Sequence, residues 1–129
     1  MVTDNNDAME KTTLVLGASP RPERFSYDAV KSLQEKKIPV IALGKRDAEI
    51  GDIIIRKGMP SGITGVHTVT LYLSAENQKE YYSFIISLNP RRIIFNPGTA
   101  NPEFADMARR KGIEVINDCM LVMLKRGRF

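Results

Sequence analysis

The residues best placed to do chemistry together are Gly17, Ala18, Ser19, Pro20, Arg21 and Arg24. The apolar run Thr12-Thr13-Leu14-Val15-Leu16 breaks at Gly17 into this short loop, and an amphipathic segment begins at about Ser26. Strand, tight loop and helix in that order build a phosphate site. Glycine has no Cβ to block the turn, and the amides before a helix N-terminus are expected to point outward unpaired, where the helix dipole favours an anion. Arg21 and Arg24 add charge to the same spot, so the most economical ligand is a nucleotide diphosphate. The GxGxxG spacing is absent, and the glycine by itself therefore selects no particular dinucleotide.

Lys45-Arg46 directly follow a second apolar run, Ile38-Pro39-Val40-Ile41-Ala42-Leu43, and Gly44. An acid after the second strand would bond the ribose hydroxyls of NAD, whereas a base there accepts a ribose phosphate. Plain NAD is disfavoured, and a ligand with both a diphosphate and a ribose phosphate fits, which means NADP or coenzyme A. Catalytic groups are scarce. The only histidine, His67, lies near the start of the third strand, opposite the ligand edge, so neither a triad nor a metal cluster assembles around it. Cys119 lies at the ligand edge with nothing nearby to depress its pKa, and Asp118 and Asn96 have no evident partner for acid or base work. No catalytic residue and no metal ligand is expected. An NADP-dependent oxidoreductase, the alternative to a binding module, would need a polar hydride-acceptor site that these residues do not build.

An alternation of strands and helices has to position those loops. Leu14 to Leu16 read as a strand buried on both faces, which implies a parallel sheet covered by helices. A helix over residues 26–37 follows, with Ser26 as its cap and Ala29, Val30 and Leu33 inward, then a second strand closed by Gly44. Residues 47–65 read as an irregular connection, with room for a small extra strand and one helical turn. Val66 to Leu73 form a third main strand, and Ser74 caps a helix to about Leu88 with Tyr81, Phe84, Ile85 and Leu88 as its stripe. Arg92 to Asn96 make the fourth strand, broken by Pro97-Gly98. Asn101-Pro102-Glu103 start a helix that buries Phe104, Met107 and Ala108 and ends at Gly112. Glu114 to Cys119 supply a fifth strand, and Leu121 to Leu124 an apolar terminal piece. The architecture that satisfies this order is α/β: an open, doubly wound parallel sheet of about five strands with helices on both faces, in a single domain over residues 11–129. Ligands bind such sheets outside the carboxyl ends of the strands, where the loops at Gly17, Gly44, Ser74, Asn96 and Cys119 begin.

The 129-residue length suits one domain. The net charge of +4 is spread over short groups at the ends of elements, Lys36-Lys37, Lys45-Arg46, Arg91-Arg92, Arg109-Arg110-Lys111 and Lys125-Arg126, so nucleic acid is not the expected partner. No apolar run approaches the roughly 18 residues a membrane helix needs, and no membrane partner is expected. Residues 1–10 read as a loose polar and acidic leader rather than a signal peptide, and a single cysteine suits a reducing, cytoplasmic setting. Tyr81, Tyr82 and Phe84 leave a homodimer or a partner enzyme subunit open.

Gly17-Ala18-Ser19-Pro20-Arg21-Pro22-Glu23-Arg24 with Ser26-Tyr27, and Gly112-Ile113-Glu114-Val115-Ile116-Asn117-Asp118-Cys119 near the end, resemble the small stand-alone CoA-binding domain proteins. These are similar to the CoA-binding domain of the succinyl-CoA synthetase alpha subunit. The resemblance runs from about Lys11 to Leu124 and implies a Rossmann-like fold holding coenzyme A or an acyl-CoA. Its carry-over places Gly17, Ala18, Ser19, Pro20, Arg21 and Arg24 at the diphosphate and Lys45 and Arg46 at the adenosine end. Ser74 and Asn96-Pro97-Gly98 would then line the pantetheine path. Many relatives carry Asn-Pro after the second strand where this chain has Gly44-Lys45, and a tryptophan or glutamine before glycine where it has Phe95-Asn96-Pro97-Gly98. The synthetases also need a second domain bearing a phosphorylated histidine, which does not follow here. The resemblance thus implies an accessory, non-catalytic CoA-binding protein.

Overall fold

The computed structural model describes residues 11–129, and the expected leader at residues 1–10 lies outside them. In chain order the elements are β1 (Thr13–Leu16), α1 (Phe25–Glu35), β2 (Val40–Gly44), β3 (Ala48–Ile50), β4 (Ile53–Lys57) and β5 (Thr68–Leu71). Then come α2 (Ala75–Gln78), which runs through a 3-10 turn (Lys79–Tyr81) into α3 (Tyr82–Leu88), and β6 (Arg92–Phe95), α4 (Pro102–Arg110), β7 (Glu114–Asn117) and α5 (Met120–Lys125). One sheet holds the strands in the order β3-β4-β2-β1-β5-β6-β7. Every neighbouring pair is parallel except β3 with β4.

The central strand explains the layering. All four residues of β1 are buried. Alternation sends Leu14 and Leu16 to one core and Val15 to the other, so the apolar run is continuous because both faces are covered. On the first face Leu43, Leu71, Ile93 and Phe95 pack against Ile85 of α3 and Phe104, Ala105 and Ala108 of α4. On the second, Ala42, Ile55 and Ile94 pack against Ala29, Val30 and Leu33 of α1 and Met120, Met123 and Leu124 of α5. The apolar terminal piece therefore closes the second face beside α1. No helix among the described residues is long and apolar enough to cross a membrane.

Several expectations are corrected. The sheet has seven strands rather than about five, because residues 48–57 form a hairpin where an irregular connection was expected. Gly51, at φ 56, makes the sharp turn between Ile50 and Ile53, and burial of Ile50 and Ile55 holds both strands to the sheet. No helical turn forms there. Instead the irregular stretch after β4 lays Ile63 and Val66 on the first core. Helix α1 starts at Phe25 with Arg24 in the cap position and no side-chain cap bond, whereas Ser26, the expected cap, is buried inside the first turn. Met107 is 37% exposed, since short α4 presents Phe104, Ala105 and Ala108 to the sheet and leaves Met107 at the rim. Strand β7 ends at Asn117, and Cys119 is the cap residue of α5. Tyr82 stacks on Phe104 with ring centroids 4.4 Å apart, so it serves the core rather than a free surface. The start of α4 is as expected, with the Asn101 side chain accepting the Phe104 amide at 3.1 Å and Pro102 in the first turn.

Phe104 is fully buried and also meets Phe95 edge-on at 6.0 Å. Phe104→Ala is expected to cost about 3–5 kcal/mol in urea-unfolding stability. A loss below about 1 kcal/mol would mean that the first core is not closed on this ring.

Candidate functional site

The register brings the strand ends to one edge. Leu16 lies level with Leu43 and with Leu71, Leu71 with Phe95, and Phe95 with Asn117. The loops that leave at Gly17, Lys45, Tyr72, Asn96 and Asp118 therefore open side by side. The chain moves outward from β1 to β2 on one side and returns as β5 on the other, so strand order reverses between β1 and β5. That reversal leaves a crevice above their carboxyl ends.

Two glycines shape it. Gly17 has φ 97, and a Cβ there would sit 3.0 Å from the carbonyl carbon and oxygen of Tyr72. A Cβ on Gly44 would collide with the Ala18 carbonyl oxygen. The Gly17 and Ala18 amides both donate to the Leu43 carbonyl at 2.9 Å. This corrects the expectation that the loop amides point outward, because these two are spent on the neighbouring strand. At the start of α1 the Phe25 and Ser26 amides have no hydrogen-bond partner among the described residues. No side chain caps that end, so the helix presents its positive pole bare at the crevice.

The cations differ in their freedom. Arg21 gives Nε and Nη2 to the Glu23 carboxylate, each at 2.8 Å, so much of its charge is answered locally. The Glu23 carboxyl is held below its ordinary range, first by its own backbone amide and then by the Arg21 and Arg24 charges. Arg24, Lys45 and Arg46 are exposed and form no ion pair among the described residues. Ser19 accepts the Arg21 amide at 3.2 Å and so stiffens the loop around Pro20. Ser74 is exposed and caps α2 through the Asn77 amide at 3.4 Å. Pro97 and Gly98 are exposed in the next loop, with Gly98 at φ 89.

Asn96 is different in kind. It is 3% exposed, its amide nitrogen donates to Thr70 Oγ1 at 2.7 Å and to the Leu71 carbonyl at 2.9 Å, and its Oδ1 accepts the Met120 amide at 2.8 Å. Its side chain braces β5, β6 and the start of α5 together and has little left for a ligand.

Two residues at this edge are invisible to sequence patterns. Gln78 is fully buried and donates Nε2 to the carbonyls of Leu73 at 2.9 Å and Thr99 at 2.8 Å, while Asn101 donates to its Oε1 at 2.9 Å. It ties the loop after β5 to the loop after β6, yet a lone glutamine in a helical stretch reads as surface. The Tyr72 hydroxyl is buried without a hydrogen-bond partner among the described residues. Burial pushes its pKa well up, and the nearby Thr70 hydroxyl opposes this only in part. Two grooves lie elsewhere, one of about 440 Å³ between α3 and α4 and one of about 280 Å³ beside β2 and β4, and neither borders the Gly17 loop.

The sequence model of the CoA binding domain matches residues 11–125. The chain belongs to the CoA-binding domain family. Among solved structures, a crystal structure of an uncharacterized protein is 42% identical, with a TM-score of 0.89 over 93% of this chain and 98% of that one. A hypothetical protein from Pyrococcus horikoshii OT3 is 22% identical, with a TM-score of 0.82 over 98% of this chain and 91% of its own. A Thermus thermophilus protein, cell-free ID.343, is 18% identical, with a TM-score of 0.80 over 99% of this chain and 97% of its own. The last two show the fold alone. No curated protein matches.

In this CoA-binding domain, His67 lies at the other edge of the sheet, as expected, its amide donating to the Thr12 carbonyl at 2.9 Å. Burial lowers its pKa first, followed by the Arg92, Lys11 and Arg91 charges, with Glu114 opposing. The unfolded imidazole takes up a proton as pH falls through 6.5, and the folded one resists until lower pH, so His67 withdraws stability below that point. His67→Gln is expected to lose less urea stability than the wild type between about pH 7.5 and pH 5.5. Equal losses would remove His67 from the acid response. Gly44→Ala is expected to cost about 1–3 kcal/mol by forcing β2 and the Gly17 loop apart, whereas a neutral result would contradict the close approach at Ala18.

Proposed function

We propose that this protein binds coenzyme A or an acyl-CoA across the β1–β5 crevice, as a non-catalytic or accessory binding protein. The observation that carries the reading is the bare N-terminus of α1. Its Phe25 and Ser26 amides lack partners, and it stands beside Arg24 at the edge where Lys45 and Arg46 also emerge. Membership of the CoA-binding domain family supports the same ligand.

The residues present suit the group. The diphosphate would lie on the α1 amides, with Gly17, Ala18, Ser19, Pro20 and Arg21 shaping the loop and Arg24 adding charge. Lys45 and Arg46 would meet the ribose phosphate at the adenosine end. Ser74, Asn96, Pro97 and Gly98 would border the pantetheine arm, with Ser74 and Asn96 acting through the backbone they hold. Bound CoA supplies a thiol or thioester, and the chain's own residues bind and orient it. The free cysteine suits a cytoplasmic setting. A second copy or a partner enzyme would receive the cargo.

Thermal unfolding with millimolar CoA, dephospho-CoA, NADP and ADP tests this. A ligand that binds only the folded state adds about 2.7 kcal/mol at one hundred times its dissociation constant. CoA is expected to raise stability and dephospho-CoA to raise it less. Replacing Lys45 and Arg46 by alanine is expected to erase the difference between the two. No rise with CoA overturns the proposal, and a rise with NADP alone transfers the site to the oxidoreductase alternative.

A further inference from the structure

At the amino edge of the sheet, away from the crevice, cations gather around one buried donor that has no acceptor among the described residues. Arg92, the first residue of β6, is only 7% exposed. Its Nε donates to Thr68 Oγ1 at 2.8 Å, and the same hydroxyl lies 2.8 Å from His67 Nδ1. A hydroxyl has one hydrogen. It also has two lone pairs, so Thr68 Oγ1 can accept from Arg92 and still meet Nδ1 as donor or as acceptor, while in a protonated imidazole Nε2 carries a hydrogen of its own. No bond among the described residues uses Nε2, and Arg92 Nη2 is buried with no partner among them.

The surrounding charge has the same sign. The charges that act most strongly on His67 are the cations Arg92, Lys11 and Arg91, opposed by the acid Glu114. Neither Arg91 nor Arg92 forms an ion pair among the described residues. Lys11 Nζ donates to the main-chain oxygen of Phe129 at 2.8 Å, and the Phe129 ring lies 4.4 Å from the Arg92 guanidinium carbon. A ring face attracts the cation but accepts no hydrogen bond in the guanidinium plane, so Nη2 stays unsatisfied.

We infer that this edge is a second ligand site, one that takes a compact oxyanion, a carboxylate or a phosphate, between Arg92, His67, Lys11 and Arg91. The anion would supply the acceptor that Arg92 Nη2 lacks, accept from Nε2–H of the protonated His67 imidazole, and offset the positive charge of Arg91 and Arg92. The site is separate from the crevice: β5, with four residues, spans about 13 Å between the two edges at about 3.3 Å per residue.

His67 is the only histidine of the chain, so its imidazole NMR signals report on this edge alone. The full chain is titrated with inorganic phosphate and, separately, with acetate, at constant ionic strength held by chloride. Saturable movement of the His67 signals by either anion is expected, with the His67 pKa raised by about 0.5 unit or more, a roughly threefold preference of the anion for the protonated imidazole. Arg91→Ala, on the exposed neighbour, is expected to weaken the effect about fivefold or more, and Arg92→Gln to abolish it. If Arg92→Gln fails to fold, Lys11→Ala serves as the second variant. His67 signals that ignore both anions, or that respond to chloride alike, overturn the inference. So does a response that survives in Arg91→Ala together with Arg92→Gln or Lys11→Ala.

Discussion

One carbonyl organises the ligand edge. Leu43 O, near the end of β2, accepts the amides of both Gly17 and Ala18, and this double acceptance bends the chain sharply off β1. The bend is feasible only because Gly17 tolerates φ 97 and because neither Gly17 nor Gly44 carries a Cβ into the adjoining backbone. Everything beyond it follows from that geometry. The loop has to cross over β2, α1 has to start where it does, and the crevice between β1 and β5 stays open above the Tyr72 carbonyl.

The rest of the edge is held by buried amides rather than by apolar packing. Asn96 joins β5, β6 and α5, and Gln78 joins the loops after β5 and β6, each with its side-chain polar atoms used. Satisfied networks of this kind are rigid because loss of any one partner leaves the others buried and unpaired. The crevice wall on that side is therefore stiff, whereas the opposite wall, with Arg24, Lys45 and Arg46, is a fringe of exposed cations. A rigid wall facing a charged fringe suits a ligand that is long, apolar along one stretch and anionic at one end.

Electrostatics divides the molecule by edge. The excess of positive charge looks scattered along the chain, but folding sends Arg24, Lys45 and Arg46 to the carboxyl edge and Lys11, Arg91 and Arg92 to the amino edge. Parallel strands cause this sorting. A residue at the start of a parallel strand lies at one edge and a residue just after it at the other, so charges that flank these strands collect in two places whatever their separation in sequence.

The sequence by itself determined the α/β class, the covering of β1 on both faces, the start of α4 and the loop at Gly17, because apolar periodicity, caps and glycine act over a few residues. It did not reveal the β3–β4 hairpin, whose short strands carry apolar residues on the covered and the open face alike, as exposed Ile54 beside buried Ile55 shows. Nor did it show that Ser26 lies inside its helix, that the Gly17 and Ala18 amides turn inward, or that Asn96 and Gln78 are braces. Those outcomes depend on partners between 21 and 26 residues away, as for Gln78 with Thr99 and Asn96 with Thr70. Only the tertiary structure decides which donor meets which acceptor, because hydrogen bonding is specific in distance and angle while a residue type states only what it is able to offer.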